Sequence, residues 1–307
     1  MATFQKVALL GKGTLGSLLL NELLKANFTV TILTRSNPTS TTLPPNVTIK
    51  QVDYSSTDSL KSALAGHDIV ISTLTTTAIP LQKPAIDASI AVGVKRFIPA
   101  DYGAISSNSE AQKLPFNAAA AGIQNYLRER GSQIDFTIFA TGVFLDRIFT
   151  TPVAVDFPNR AVRLYDNGQH GFSVSRAETV ARAVVGAIQR LEETRNRVVR
   201  VHDAVLTQRR VYDMARKWTG SEGWTEVNVD AREQLEGALA RMREKLDPVL
   251  LRGMFVAALF SGKFGAAYRE EDLDNELLGL GVMSEEEVEA FGLAMNPGLV
   301  SGNYGKE

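Results

Sequence analysis

Cysteine is absent from the 307-residue sequence. That absence excludes disulfide frameworks, thiolate metal sites and cysteine nucleophiles together. Histidine is scarce: His67, His170 and His202 are the only three, too far apart in sequence to have the spacing of a metal-ligand cluster. Neither charge sign dominates, with 33 Lys and Arg against 34 Asp and Glu, so no global field draws the chain to nucleic acid or to an anionic membrane. No apolar run approaches the roughly 18 residues of a membrane helix. The first run stops at Gly11, too short for the core of a signal peptide. Internal repeats and low-complexity linkers are missing too. The remaining composition, 44% hydrophobic and 22% charged, is that of an ordinary soluble chain. The expectation is a cytoplasmic protein with one large α/β domain over residues 1–150 and a second lobe over 151–307, whose segments can cross back to the first.

Positive signals begin with a rhythm. Short apolar runs at Val7–Leu10, Phe28–Leu33, Val47–Ile49, Asp68–Ser72, Lys95–Pro99 and Phe136–Phe139 read as strands. Between them, Leu15–Lys25, Ser59–Leu64, Leu81–Val92 and Asn117–Arg130 read as helices. Six buried strands with intervening helices predict an α/β fold, a parallel sheet covered on both faces. The second half loses the alternation and reads as mostly helical. Ala177–Gln189, Thr207–Thr219 behind an N-cap at Thr207, a helix from Asp230 to near Lys245, and Pro248–Phe260 are predicted there. Val162–Tyr165 is a strand before the turn Asp166-Asn167-Gly168, Arg197–His202 a strand that can extend the sheet, and Ser284 with Glu287 a capping box.

The most informative motif is Gly11-Lys12-Gly13-Thr14-Leu15-Gly16, placed directly after the first strand and opening the first helix. Gly11 permits the tight turn, Gly13 lets backbone amides approach a pyrophosphate, and Gly16 lets helix and strand pack closely. The helix N-terminus adds unpaired N–H groups and a positive dipole end. At the end of the second strand, a site for NAD would place Asp or Glu against the ribose hydroxyls. Thr34-Arg35-Ser36 stands there instead. A guanidinium fork and a hydroxyl suit a 2′-phosphate, so NADP(H) is the expected cofactor.

The glycine loop, the Thr34-Arg35-Ser36 strand end and the segment Lys95-Arg96-Phe97-Ile98-Pro99-Ala100-Asp101-Tyr102-Gly103 together resemble the NmrA-like, isoflavone-reductase-like group of atypical short-chain dehydrogenases, with fungal members of specialised metabolism nearest. The resemblance implies a Rossmann domain, a doubly wound parallel sheet, that binds NADPH, with a smaller, mostly helical C-terminal lobe over the substrate. It implies that Gly11, Gly13, Thr14, Leu15 and Gly16 form the pyrophosphate loop, and that Arg35 and Ser36 hold the 2′-phosphate. Thr73 and Leu74 would pass the ribose and pyrophosphate, and Gln82 is a matching polar position in the next helix. Asp101 and Tyr102 would edge the active site. Thr141, Gly142, Val143 and Phe144 would flank the nicotinamide.

One departure bears on chemistry. Reductases of this group carry a lysine on the helix before the sixth strand; counting back from Gly131 puts Ala120 in its place. Tyr-x-x-x-Lys is absent as well. Asp101, Tyr102, Lys113 or a residue of the C-terminal lobe is then the candidate proton donor, or the substrate needs no strong acid, as in hydride transfer to an iminium. The expected function is an NADP(H)-dependent oxidoreductase reducing C=C, C=N or C=O in a bulky apolar or heterocyclic secondary metabolite. A redox-neutral cyclase or rearrangement enzyme that uses NADP(H) transiently, and a non-catalytic NADP-sensing regulator, are the alternatives. The partner is a small molecule, with neither nucleic acid nor membrane involved and a homodimer as the candidate assembly. No metal site is expected.

Overall fold

The computed structural model describes residues 4–36, 43–242 and 247–296. In chain order the first elements are β1 (Lys6–Leu10), α1 (Thr14–Lys25), β2 (Thr29–Thr34), β3 (Val47–Gln51), α2 (Thr57–Leu64), β4 (Ile69–Ser72), α3 (Gln82–Ala91) and β5 (Arg96–Ile98). Then come β6 (Tyr102–Gly103), α4 (Ala118–Glu129), β7 (Asp135–Ala140), β8 (Val143–Phe144), α5 (Leu145–Thr150), β9 (Ala161–Tyr165), β10 (Gly171–Ser175) and α6 (Ala177–Gln189). The last are β11 (Arg197–Arg200), β12 (Ala204–Thr207), α7 (Gln208–Thr219), β13 (Thr225–Val229), α8 (Ala231–Met242), α9 (Pro248–Phe260) and α10 (Glu285–Met295). They fall into two compact units. One is built from Met1–Tyr102, Ala118–Phe139 and Ala177–Val199, the other from Gly103–Asn117, Ala140–Arg176 and Arg200–Glu307.

The first unit holds the large sheet, whose main path runs β11-β7-β5-β4-β1-β2-β3. The pairings from β3 through β7 are parallel. Order 3-2-1-4-5 with the next strand outside is the doubly wound Rossmann arrangement, which reverses direction between β1 and β4. Val7, Ala8, Leu9 and Leu10 of β1 and Ile69, Val70 and Ile71 of β4 are fully buried. Such unbroken apolar runs are what strands covered on both faces require. β3 lies at the sheet edge and buries only Val47 well.

The second unit carries the helices α5, α7, α8, α9 and α10, as a mostly helical lobe should, and adds short strands that were not expected. It has a three-stranded sheet, β12-β10-β8, and a parallel pair, β13-β9. β8, β10, β12, β13 and the six-residue α5 lie where the sequence carries no clear signal. β8 is two residues long, β10 alternates only Phe172 and Val174 with serine, and β13 alternates but is exposed at four of its five positions, so none is long or apolar enough to stand out as a strand. The helical signals do hold. α9 spans Pro248–Phe260 behind Asp247, Thr207 caps α7 through Arg210 N–H, and the Ser284–Glu287 capping box opens α10. Asp230 caps α8 by accepting from Glu233 N–H; the expected end near Lys245 falls outside the described residues.

At Gly16 a Cβ would stand 2.7 Å from the Gly11 carbonyl oxygen and 2.8 Å from Thr73 Oγ1, whereas one at Gly13 would meet nothing within 4 Å. Gly16→Val is therefore expected to lower unfolding free energy by about 1–3 kcal/mol. Gly13→Ser, at an extended N-cap position where serine is favoured, is expected to leave it unchanged or slightly higher. Urea unfolding of the two variants checks the contrast.

Candidate functional site

Ligands of doubly wound sheets lie beyond the C-terminal ends of the strands, at the point where strand order reverses. Here that point is the end of β1 and β4. Gly11 leaves β1 with φ of +95°, a left-handed conformation that glycine adopts without strain, and its N–H donates to Leu33 O at 3.2 Å. Thr73, directly after β4, sets its hydroxyl 3.1 Å from the carbonyls of both Leu10 and Gly11. This clasp binds the turn to the sheet. Gly13 is the N-cap of α1 and offers no capping side chain, so the first-turn N–H groups lack the side-chain acceptor that helices usually recruit. Lys12, Gly13 and Thr14 are exposed and Leu15 is half-buried.

At the end of β2, Arg35 and Ser36 are exposed. Thr34 Oγ1 donates to Ser36 O at 2.6 Å and Gln51 Nε2 to Arg35 O at 3.1 Å, so the strand end is held by its backbone while the guanidinium projects from it. Arg35, Gln51, Asp53, Tyr54, Ser55 and Leu81 line an open cleft of about 560 Å³. Tyr54 donates to Leu33 O, and burial pushes its phenol above the ordinary range, with Arg35 opposing. The Asp53 carboxylate turns onto Ser55, accepting from its N–H and its hydroxyl, which holds it below the usual range.

Beyond β4 and β5 the polar groups are more buried. Gln82 is fully buried; its Oε1 accepts from Ala100 N–H at 2.7 Å, while its Nε2 has no partner among the described residues. Ser72 Oγ is likewise buried without one. Leu74 packs on the first unit's core. Tyr102 donates to Ser72 O at 3.0 Å; burial, and Asp101 beside it, push the phenol well above its ordinary range. Asp101 is 6% exposed and accepts from Gln124 Nε2 at 2.5 Å, whose own Oε1 accepts from Arg128. Ala120, one turn before Gln124, is buried and offers no polar group.

The remaining expected residues belong to the second unit. Gly142 has φ of +71°, and a Cβ there would collide with the Ser173 carbonyl. Its N–H donates to Tyr268 Oη at 3.0 Å, and the same hydroxyl donates to Ala104 O at 2.7 Å. Thr141 N–H donates to Gly103 O, and Thr141 O accepts from Ser175 Oγ at 2.6 Å. Val143 and Phe144 form β8, in register with Val174 and Ser175. Ser173 Oγ accepts from Tyr268 N–H at 2.9 Å and shares a hydrogen bond of 2.9 Å with His202 Nδ1. Lys113 is exposed and its ammonium contacts both oxygens of Glu110. Asn117 donates its amide to Ala111 O. His170 sits in its turn 3.6 Å from Asp166. Met254 and Phe260 are core residues, while Phe255 is half-buried.

Sequence reasoning missed Gln124, which carries Asp101, and the Ser173–His202–Tyr268 network behind the Thr141–Phe144 segment. Both depend on pairs far apart in sequence, and no local spacing marks them. Among the described residues no group of three or more acidic or His side chains can hold a metal ion. No described helix is long and apolar enough to cross a membrane.

The sequence model of the NmrA-like family matches residues 5–223. The chain is 31% identical over 268 residues to Oxidoreductase aprR of Aspergillus flavus, spanning 85% of this chain and 89% of that protein. Among solved structures it superposes on isoflavone reductase with TM-score 0.71 at 19% identity, covering 94% of this chain and 98% of the other. It also superposes on the leucoanthocyanidin reductase–NADPH binary complex from Vitis vinifera with TM-score 0.70 at 18% identity, covering 94% and 99%. At these identities the two structures establish the shared fold.

His202 is 6% exposed, and burial lowers its pKa below the ordinary 6.5 despite opposing pulls from Asp203 and Glu270. The unfolded chain therefore takes up the proton first as pH falls through 6.5, and stability drops with it. His67, half-buried and likewise lowered by desolvation, adds to the same slope. The melting temperature is expected to fall between pH 7.5 and 5.5, and the fall to be shallower in His202→Gln. Thermal unfolding at the two pH values measures it.

Proposed function

Since the chain belongs to the NmrA-like family, we propose that it is an NADP(H)-dependent oxidoreductase acting on a bulky apolar or heterocyclic small molecule. The observation that carries this reading is the turn after β1. An uncapped helix N-terminus, with open space over Gly13, faces the point where strand order reverses. The donor set suits a dinucleotide. First-turn amides of Gly13, Thr14 and Leu15 would bind pyrophosphate oxygens, and Gly11, Gly16 and Thr73 would hold those amides in place. Arg35 and Ser36 would take the 2′-phosphate. The orphaned Gln82 Nε2 and Ser72 hydroxyl, buried in the segments around the β4 end, are polar groups a bound nucleotide could satisfy. When bound, the nicotinamide supplies the hydride.

The chain's own chemistry near Asp101 favours a substrate that needs little acid assistance. Ala120 offers no proton. Tyr102 is committed to Ser72 O and its phenol is a weaker acid than in water. Asp101 would orient substrate or stabilise positive charge, held in place by Gln124. Lys113, occupied by Glu110 at the surface, is given no role. This arrangement supports hydride delivery to an already cationic acceptor such as an iminium. It also keeps open a redox-neutral reaction, in which a hydride is taken up and returned.

Calorimetric titration with NADPH and with NADH tests the proposal. NADPH is expected to bind more tightly. Loss of one arginine–phosphate contact in Arg35→Ala should weaken NADPH by roughly 10-fold or more and leave NADH unchanged. Gly13→Ser should weaken both, because its hydroxyl caps the amides that the phosphate uses. Failure of the wild-type protein to bind either nucleotide would overturn the proposal.

A further inference from the structure

Within the second unit, β9, α8, α9 and the segment Pro152–Asp156 enclose a cavity of about 520 Å³, in the size range of small-molecule sites. Its wall is apolar: Ala154, Val162, Tyr165, Ala238 and Val256 are all buried, and Val249 stands at the edge, 77% exposed. Val249, Gly253 and Val256 recur at helical spacing on one face of α9. Phe255 points along a different face, where it meets Phe116 edge-to-face at 5.6 Å. A Cβ at Gly253 would touch only Gln234 Nε2, at 3.9 Å, so this glycine leaves the wall between α8 and α9 low.

Three arginines line the same cavity: Arg163 from β9, Arg241 from α8 and Arg252 from α9. All three are exposed, and among the described residues none of them pairs with a carboxylate. Arg241 Nε reaches only Gly237 O of its own helix, at 3.3 Å. Elsewhere in this unit Arg176, Arg209, Arg210 and Arg269 each hold a carboxylate. The one acidic lining residue, Asp156, has both oxygens engaged by Asn159. Three cations from three elements, converging on one apolar cavity, leave an excess of positive charge at its rim.

We propose that this cavity binds a small organic anion, an apolar body carrying a single carboxylate. The body lies against Val162, Tyr165 and Val256, and the carboxylate meets the guanidinium groups at the rim, where bidentate pairing is available. The cavity shares no lining residue with the glycine turn, and the proposal does not depend on the nucleotide reading.

The probe is 2-naphthoate, with 2-naphthylmethanol as its neutral counterpart of equal size, titrated calorimetrically into the full chain with and without NADPH. Naphthoate is expected to bind one per chain and to exceed the alcohol by roughly 10-fold at low salt. That preference should shrink as salt rises, because the arginines are exposed. The double variant Arg163→Gln, Arg252→Gln should bind acid and alcohol alike. Gly253→Leu, which fills the cavity from a half-buried helical position, should abolish binding of both without lowering the melting temperature. Equal affinity for acid and alcohol in the wild-type protein, or unchanged naphthoate binding in Gly253→Leu, overturns the proposal. So does competitive displacement by NADPH, which would assign the anion to the nucleotide site. Naphthoate binding in a protein that fails to bind NADPH would sink the nucleotide reading alone.

Discussion

A single close approach organises the first unit. Gly16 on α1 comes against the carbonyl of Gly11 and the hydroxyl of Thr73, at a separation no side chain tolerates. That contact sets the height of α1 above the β1–β4 pair, and Thr73 locks it by bonding the carbonyls of Leu10 and Gly11. Everything proposed for the nucleotide follows from it. The first-turn amides point where they do because the helix cannot ride higher, and Gly13 stays open because none of the described residues fills its place. The three glycines have three separate jobs: Gly11 bends the backbone, Gly16 permits packing, and Gly13 leaves room.

Much of this was legible in the sequence, and for identifiable reasons. Parallel strands buried on both faces must be apolar at every position, so Val7–Leu10 and Ile69–Ile71 announce themselves. Helices such as α6 and α9 matched their expected limits because their caps and apolar spacing are local signals. The short strands of the second unit were silent for the opposite reason. β8 and β10 are stabilised by pairing with residues about 30 positions away, and β13 has almost no buried face. The alanine at position 120 was visible, but the polar arrangement around it was not. Gln124 carries Asp101 across 23 residues, and Tyr268 carries Gly142 across 126.

Those long-range hydrogen bonds recast the expected site residues. Thr141 and Gly142 have their backbone groups taken up by Gly103, Ser175 and Tyr268, so they read as a rigid platform more than as free donors. Tyr102 is a strut on Ser72, its phenol kept neutral by burial. Ala120 offers only a methyl group, and Asp101, Gln124 and Arg128 near it are tied to one another. Asp101, Tyr102 and Ala120 so arranged offer no ready proton, which is why the proposed chemistry rests on the cofactor's hydride.

The most direct measurement is a crystal structure of the chain grown with NADP⁺. The account predicts pyrophosphate oxygens within hydrogen-bonding distance of the Gly13, Thr14 and Leu15 amides, the 2′-phosphate beside Arg35, and α1 unmoved against Gly11 and Thr73. A dinucleotide seated elsewhere, with the glycine turn holding only water, would contradict it.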